Sequence, residues 1–415
     1  MNNVLDKAVK CLKWSLCNNC LGRQFAQLLS GYSNDQRGQI LRTAVAMSMD
    51  QPKEDTKDEP INPNIKDIEM SNFADFQFHN LEIKDKLPVK TCYLCDGLFE
   101  KIDTLAKRSS KAAGKYEFSN FLIGTKLSFE LAQKEEDFWE KIGIEYCESL
   151  KAEINREIGK RIEKLTDSKF NAKNPHINII LNLENNKTEV LVNPLFIYGE
   201  YQKLVRGIPQ TRWPSGKYKN SVEQIIAKPI MPATQGKSHK FHGLGREDID
   251  ARCLAWRPFV LEILHPKKRN IGLEKLAKKI DKKVKVRNMQ FSSVNEMRKV
   301  KESRAEKTYS CIVVCENIKK QDLKKLSLLS LINQKTPERV LHRRADLMRK
   351  RNVKKLSTKY VNSKKFILNV RTDAGLYVKE LVNGDNGRTK PSISELLGQK
   401  CTCKDLDVVD IDWKR

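Results

Sequence analysis

The sequence predicts a multidomain α+β fold, and three observations support this class. The chain has 415 residues, enough for two or three domains that each bury their own core. Apolar residues recur at helical spacing in the first half, whereas short extended segments alternate with short helices from about Arg206 onward. No repeat of fixed period is visible. We therefore expect a mixed or antiparallel sheet in the second half.

The first 45 residues are predicted to be helical, in two apolar-periodic stretches punctuated by Gly31 and Asn34. The composition then changes. Residues 50–90 are rich in Asp, Lys, Glu, Asn and Pro and contain few aliphatic clusters. This composition predicts a mobile or variable insert, to which we assign no chemistry.

A long helix is predicted over about 135–165, because five apolar residues recur at every fourth position on one face. They are Tyr146, Leu150, Ile154, Ile158 and Ile162. Two strands, 177–183 and 188–192, follow this helix and are joined by a turn at Asn185 and Asn186. The helix and the hairpin together predict an α/β module.

Five further strands are predicted in the second half from their extended, apolar character. They cover residues 258–264, 284–289, 309–315, 366–370 and 406–411.

The charge balance indicates a polyanionic partner. Lys and Arg total 78 against 52 Asp and Glu, which gives a formal net charge of +26. Nucleic acid is the leading candidate and an anionic membrane is the alternative. No apolar run approaches the ~20 residues of a spanning helix, and the N-terminus lacks the apolar core of a signal peptide. We expect a cytoplasmic protein without a membrane partner.

Four of the eleven cysteines form two C-x-x-C pairs, Cys17 with Cys20 and Cys92 with Cys95. Four thiolates at this spacing suit tetrahedral zinc, although the long gap between the pairs requires tertiary structure to close the site. The alternative is four ordinary, semi-buried thiols, and the C-x-C at 401–403 is interpreted as accidental. Because neither pair has a His or Glu close by, the predicted zinc is structural and not catalytic.

Two glycine motifs do not support a nucleotide-binding site. The segment 236–238 resembles the end of a phosphate-binding loop, but Met231 occupies the position where that motif needs glycine. Gly243 and Gly245 form a G-x-G that follows a polar run and not an apolar strand. We therefore expect no small-molecule cofactor.

Chemistry is expected in the stretch FHGLGREDIDAR, residues 241–252. It combines two glycines, two arginines and three acids with neither helical nor strand periodicity, which is typical of a functional loop. A solvated turn whose charges pair with one another is the alternative.

Eight segments together resemble the archaeal and eukaryotic tRNA pseudouridine-54/55 synthases, a family with a THUMP-type RNA-binding region and a pseudouridine synthase domain. The segments are CNNCLGRQF (17–25), FLIGTKL (121–127), INREIGKRI (154–162), RGIPQTRWP (206–214), GREDIDAR (245–252), RPFVLEI (257–263), TPERVLHRRAD (336–346) and GLYVKELVNGDNGRTKPS (375–392). The resemblance implies three regions. They are an N-terminal helical region with the zinc site (1–125, including the unmatched insert), a THUMP-like region (126–200) and the synthase domain (201–415).

The resemblance also implies the roles of individual residues. Asp248, in Gly-Arg-Glu-Asp, would be the catalytic carboxylate, with Asp250 as the competing candidate. Tyr309 would contact the target base, and Lys379 would be held against the aspartate; the alternatives are a core aromatic and an exposed helix charge. The basic run 339–355 is a candidate for phosphate contacts, with a solvated helix face as the alternative. The expected substrate-binding residues are Arg246, Tyr309, Arg343, Arg344, Tyr377 and Lys379.

The implied reaction isomerises uridine to pseudouridine in the TΨC arm of tRNA, and the sequence does not decide between position 55, position 54 or both. It needs no cofactor, but the target base must be flipped out of its stack, and a cation such as Lys379 or Arg246 would keep the carboxylate ionised. One alternative is a noncatalytic tRNA-binding or tRNA-folding protein, which would need a damaged Gly-Arg-x-Asp loop. A THUMP-containing methyltransferase or thiolating enzyme would need a methyl-donor or ATP site. A monomer is favoured, although the sequence does not determine the oligomeric state.

Overall fold

The computed structural model describes residues 4–51, 67–83 and 87–415, except for the side chain of Arg343. The chain divides into two compact units, Met1–Asn193 and Pro194–Arg415. Both contain helices and a sheet, so the predicted α+β class is confirmed. None of the helices in the described ranges has the length and apolar character that a membrane crossing requires.

The α-helices of the described residues are α1 (Val4–Cys11), α2 (Asn18–Gly22), α3 (Asn34–Met49), α4 (Ile102–Ala113), α5 (Phe129–Ile142), α6 (Leu150–Thr166), α7 (Val222–Thr234), α8 (Leu273–Ala277), α9 (Val294–Glu302), α10 (Val378–Asn383) and α11 (Ile393–Leu397). The strands are β1 (Asn120–Lys126), β2 (Lys169–Phe170), β3 (Ile177–Asn182), β4 (Lys187–Val192), β5 (Leu195–Lys203), β6 (Ser238–Gly243), β7 (Arg252–Leu264), β8 (Val284–Ser292), β9 (Lys307–Cys315), β10 (Leu331–Lys335), β11 (Met348–Asn362), β12 (Lys365–Thr372), β13 (Thr389–Lys390) and β14 (Cys401–Ile411).

The first unit contains a four-stranded sheet in the order β2-β1-β3-β4. Strand β1 is parallel to β2 and β3, and β3 and β4 form the predicted antiparallel hairpin. Asn186 in its turn has φ 53°, a left-handed conformation that Asn tolerates. Helix α6 buries Ile154, Ile158 and Ile162 completely, as their fourfold spacing predicts.

The predicted long helix is wrong in one respect, because it is two helices. Helix α5 ends at Gly143, which has φ 83°, and α6 starts after Ser149, whose side chain accepts a hydrogen bond from the N–H of Ala152. A glycine stop and a serine N-cap are ordinary helix boundaries. Tyr146 lies between the helices, is exposed and has φ 67°, so it is not part of the apolar face.

Part of the predicted insert belongs to the folded core of the first unit. Phe73 is fully buried, and the side chain of Asn72 accepts a hydrogen bond from the N–H of Leu16 at 2.9 Å. The Asp50 carboxylate accepts hydrogen bonds from successive backbone N–H groups at 79–81. A few aromatic side chains thus anchor residues 67–83 to this core, whereas the expectation of a mobile or variable insert stays a prediction. Residues 52–66 and 84–86 lie outside the described part of the chain.

The second unit contains a ten-stranded mixed sheet, with the order β13-β10-β11-β12-β9-β14-β7-β5-β8 and β6 paired to β7. All five predicted strands are confirmed, and each is longer than its apolar segment. Strands β5, β6, β10, β11 and β13 of this sheet were not predicted. Strand β11 is rich in Lys and Arg and mostly exposed, so the basic run continues as a strand and not as a helix face.

The predicted domain boundaries can be compared with these elements. The boundary at 200/201 falls inside β5, and the boundary at 125/126 falls at the end of β1. One hydrophobic core runs from Ala8 to Val192, across the latter boundary.

The cysteines of the C-x-C at 401–403 are free thiols that lie opposite two cysteines of β9, and neither belongs to the four-cysteine cluster of the described residues. The Cys401 and Cys315 sulfurs lie 2.9 Å apart, and the Cys403 and Cys311 sulfurs lie 2.7 Å apart. These pairs join β14 to β9 in the core of the second unit.

Candidate active site and candidate metal centre

The loop between β6 and β7 is held by three side chains that donate hydrogen bonds to its backbone carbonyls. The Gln210 amide donates to the carbonyl of Gly245 at 2.9 Å, and the Arg257 guanidinium donates to that of Leu244 at 2.7 Å. The Lys203 ammonium donates to the carbonyl of Asp248 at 3.0 Å. Gly245 has φ +64°, which favours glycine at this turn. The backbone that carries Asp248 is therefore fixed at both ends.

A buried charge cluster lies beneath this loop. The Glu247 carboxylate is 3.1 Å from the Arg257 guanidinium and 3.6 Å from the Lys203 ammonium, and it accepts a hydrogen bond from the Tyr201 hydroxyl at 3.0 Å. Glu247 and Lys203 have no exposed side-chain surface, and Arg257 is 1% exposed. Burial lowers the pKa of Lys203, while the negative charge of Glu247 partly opposes this shift. Glu247 thus provides the negative charge that two buried cations require.

The carboxylate of Asp248 faces two cations. Arg339 lies 3.2 Å from one carboxylate oxygen and 3.1 Å from the other, a two-pronged arrangement. The Lys379 ammonium lies 3.5 Å from Asp248 and 2.7 Å from Asp250. The Asp248 side chain is 31% exposed. The expected contact between Lys379 and the aspartate is therefore present, but Lys379 is shared with the competing candidate, Asp250.

Arg339 is the residue that the sequence did not assign to this site. It lies in a 3-10 helix, Glu338–Arg343, and had been assigned to phosphate contacts with the rest of the basic run. Its guanidinium donates a hydrogen bond at 2.6 Å to Glu380, whose side chain is 4% exposed, and lies 5.8 Å from the ring centre of Tyr377. Burial lowers the pKa of Arg339, but Glu380 and Asp248 outweigh this effect and raise it. Glu380 thus orients Arg339 toward Asp248.

Lys379 and Asp250 also form a close pair at the rim of the site. Burial alone would lower the pKa of Lys379, but its hydrogen bonds to Asp250 and its attraction to Asp248 raise it. The Asp250 side chain is 67% exposed. Asp248 is the less exposed of the two carboxylates and has the two-pronged partner.

A cavity of about 530 Å³ opens beside the Asp248 carboxylate. Its volume lies within the range typical of small-ligand pockets. Five of the six predicted substrate-binding residues either line it or pair with Asp248: Arg246, Tyr309, Arg344, Tyr377 and Lys379. The sixth, Arg343, has its side chain outside the described part of the structure.

Two groups of β9 line the cavity, and both have shifted pKa values. Burial raises the pKa of the Tyr309 phenol to about 12. Burial, together with repulsion by Arg257, lowers the pKa of Lys307 to about 8. Tyr309 is therefore a neutral phenol over the physiological range of pH. Lys307, which the family resemblance places in one Lys-x-Tyr motif with Tyr309 without giving the lysine a role, donates a hydrogen bond to the carbonyl of Ala305 at 3.0 Å.

Comparison with known proteins identifies the family. Residues 196–412 match the family model described as "Pus10, C-terminal", and residues 105–182 match "Pus10 THUMP domain, archaeal". The chain belongs to the Pus10 family. The first match includes the loop, the cavity and β14. The second runs from α4 into β3, so the THUMP match begins before residue 126, where the sequence had suggested a boundary.

Three relatives named "tRNA pseudouridine synthase Pus10" are similar to this chain over nearly their whole length. The relative from Thermofilum pendens is 37% identical over 98% of this chain and 95% of its own. The relative from Methanocaldococcus jannaschii is 39% identical over 96% and 92%, and that from Pyrococcus furiosus is 37% identical over 98% and 98%. The resemblance to this family inferred from the sequence is confirmed.

The candidate metal centre lies in the first unit. The four sulfurs of Cys17, Cys20, Cys92 and Cys95 all lie within 4.8 Å of one another, and those of Cys17 and Cys95 are 3.7 Å apart. A tetrahedral ion with Zn–S bonds of about 2.3 Å separates its sulfurs by about 3.8 Å. The four cysteines could therefore hold a metal ion.

The two C-x-x-C pairs are brought together by local packing. The backbone N–H of Tyr93 donates to the carbonyl of Ser15 at 2.8 Å, which joins the two segments. Helix α2, which carries Cys20, packs closely on α3, because a Cβ atom at Gly22 would lie 1.8 Å from the carbonyl oxygen of Asn34. Glycine at this position therefore supports the first pair.

Proposed function

We propose that this chain converts uridine to pseudouridine in tRNA and that Asp248 is the catalytic carboxylate. The observation that carries this proposal is the position of Asp248 beside a cavity, on a clamped loop and opposite Arg339 and Lys379. Membership of the Pus10 family, whose relatives are named tRNA pseudouridine synthases, supports the reaction.

The reaction needs one anionic group and no exchange of electrons. The bond between C1′ and N1 breaks, a new bond forms between C1′ and C5, and the proton on C5 is lost while N1 gains one. Asp248 can act on the sugar or the base as a nucleophile, or remove a ribose proton as a base. Arg339 and Lys379 lie within 3.5 Å of this carboxylate and hold it beside the cavity.

Tyr309 and Tyr377 would bind the flipped uridine. A base leaving its stack loses a few kcal/mol of stacking and pairing, which aromatic contacts in a pocket partly restore. Because the pKa of Tyr309 is raised to about 12, this residue would stack or donate a hydrogen bond and would not act as a phenolate base.

Positive side chains around the cavity would bind the tRNA backbone. Arg246 and Arg344 line the cavity, and Arg343 is proposed for the same role from its place in the sequence. The THUMP region would bind the acceptor end while the second unit reaches the TΨC arm. A tRNA substrate agrees with a cytoplasmic location.

We also propose that the four-cysteine cluster holds structural zinc. The sulfur spacing fits a tetrahedral ion, and an all-cysteine site that is largely buried is typical of structural zinc. Such an ion would join the segment at 92–95 to helix α2.

The experiment that tests this function is pseudouridine mapping on an unmodified tRNA transcript. The full chain, without added cofactor, is expected to form pseudouridine at position 55, and at 54 if both sites are substrates. Tight binding of the transcript without any product would contradict the enzymatic proposal and would favour a noncatalytic tRNA-binding protein.

A further inference from the structure

We propose that residues 265–287, which we call the basic lobe, form a second docking surface for the tRNA phosphate backbone at the edge of the second unit's sheet. This inference rests on the proposed function and adds to it a binding surface separate from the cavity. The lobe contains the segment that follows β7, helix α8 and the start of the edge strand β8.

The lobe has the composition of a polyanion-binding surface. It contains ten Lys and Arg but only two acids, Glu274 and Asp281. Eight of the ten are lysines, and all eight are exposed: Lys267, Lys268, Lys275, Lys278, Lys279, Lys282, Lys283 and Lys285. Such a density of exposed cations is the electrostatic footprint of nucleic-acid binding.

These lysines are not neutralised within the protein. Among the ion pairs of the described residues, none involves any of the eight, whereas Arg287 pairs with Glu200 at 2.6 Å. We therefore assign phosphate binding to the lysines and not to Arg287. Where each lysine replaces a condensed counterion on RNA, the released ion contributes to binding.

The lobe includes a shallow hollow that is open to solvent. Lys278, Lys282 and Lys285 line a hollow of about 650 Å³ along β8. Trp256 forms one wall, with the Arg287 guanidinium stacked 4.4 Å from its ring centre. The cation–π contact holds the ring and the guanidinium together beside the lysines.

The part of the lobe at Lys282–Lys285 lies at the same end of the sheet as the loop that carries Asp248, whereas Lys267 and Lys268 follow the opposite end of β7. Lys203, whose ammonium donates to the carbonyl of Asp248, pairs in register with Val284 of β8. The carbonyl of Lys283 accepts a hydrogen bond from the N–H of Leu204. Neighbouring strands are about 4.8 Å apart, so an RNA backbone that crosses this end of the sheet can contact the lobe while a nucleotide occupies the cavity.

An anionic membrane fits the lobe less well than RNA. Its apolar residues Leu273, Ile280 and Val284 are buried in the core, and α8 has only five residues. An interfacial membrane helix needs an exposed apolar face as well as cations. The lobe offers cations alone, which suits a hydrated phosphate backbone.

The test uses the full chain with Lys278→Gln, Lys282→Gln and Lys285→Gln combined. A matched control carries Lys319→Gln, Lys320→Gln and Lys324→Gln, three exposed lysines that follow the far end of β9 and line a different hollow. Both variants lose three charges. Dissociation constants for an unmodified tRNA transcript are measured over a range of salt concentrations by filter binding, and pseudouridine formation is measured under saturating enzyme.

The lobe variant is expected to bind tRNA on the order of 10-fold more weakly at physiological salt, with the slope of log Kd against log salt reduced by about 1 for each lost phosphate contact. Its saturated rate should match the wild type, and the control should keep both affinity and slope. Unchanged binding by the lobe variant would overturn the proposal, and so would an equal loss in both variants, which would indicate bulk charge. Loss of binding to anionic vesicles without loss of tRNA binding would also overturn it.

Failure of the proposed function gives a different pattern. A wild-type chain that forms no pseudouridine but binds tRNA through the lobe would remove the enzymatic proposal and leave the docking surface intact.

Discussion

Replacing Glu247 with glutamine tests the buried charge cluster beneath the loop. The substitution preserves size but removes the only negative charge that lies within 3.6 Å of both Lys203 and Arg257 in the described structure. Neither cation can reach water, since their side chains are 0% and 1% exposed. Breaking a buried ion pair by removing one partner costs about 3–5 kcal/mol. We expect a loss near the lower end, because Lys203, whose pKa is already lowered, can release its proton.

The loss should be confined to the second unit, so the assay must separate the two units. Urea unfolding is followed by hydrogen exchange and mass spectrometry, with peptides from β5 and β7 reporting on the cluster and peptides from α6 reporting on the first unit. A loss of about 3 kcal/mol is a large share of the 5–15 kcal/mol by which domains are usually stable.

Tyr201→Phe is the matched control, because it removes the hydrogen bonds of the hydroxyl with Glu247 and Gln210 and leaves all three charges in place. It is expected to cost about 1 kcal/mol. If Glu247→Gln costs no more than Tyr201→Phe, the carboxylate does not compensate the two cations, and the electrostatic account of this loop is refuted.

Three further predictions concern the cavity and the metal centre. Arg339→Lys should lower the single-turnover rate at least about tenfold, because lysine keeps the charge but loses the two-pronged contact with Asp248. An unchanged rate would contradict this role. In the folded chain the pKa of Lys307 is about 8, below its unfolded value, so above pH 8 the unfolded state binds more protons. The free energy of unfolding of the wild type should therefore rise relative to that of Lys307→Met between about pH 8 and 10.5. Parallel curves of unfolding free energy against pH for the two proteins would contradict the lowered pKa. Cys92→Ser should lose the stoichiometric zinc that elemental analysis detects and should lower the melting temperature of the first unit. Cys147→Ser, which lies outside the cluster, should retain the metal. Equal zinc contents in the two variants would contradict the proposed metal site.

Much of the fold could be predicted from the sequence because the periodicity of a helix or a strand depends only on residues that are close together in the chain. The apolar face of α6 and the β3–β4 hairpin follow from spacing alone. The helix break at Gly143 was missed because Tyr146 fits the fourfold spacing of the apolar residues in α6. The sequence nevertheless contains the two signals of a helix boundary, Gly143 and the N-cap Ser149. The anchoring of residues 67–83 to the core was not predicted, because one buried phenylalanine, Phe73, can anchor a segment of polar composition.

The candidate site was predicted in part for a similar reason. Asp248 and Lys379 were paired through the family resemblance. Arg339 lies 91 residues from Asp248 in sequence and belongs to a basic run, so its composition indicated phosphate contacts. Only the folded chain shows that Glu380 directs its guanidinium toward the carboxylate. The pKa shift of Lys307 likewise depends on burial, which sequence spacing does not specify.

The central claim, that Asp248 is the catalytic carboxylate, is tested most directly by mapping pseudouridine after incubation of unmodified tRNA with Asp248→Asn and with Asp250→Asn. Both substitutions remove one charge next to Lys379, so they are matched in their electrostatic effect on it. The account predicts no detectable product from Asp248→Asn, despite retained tRNA binding, and product from Asp250→Asn. Product from Asp248→Asn together with none from Asp250→Asn would contradict the account and transfer the catalytic role to Asp250.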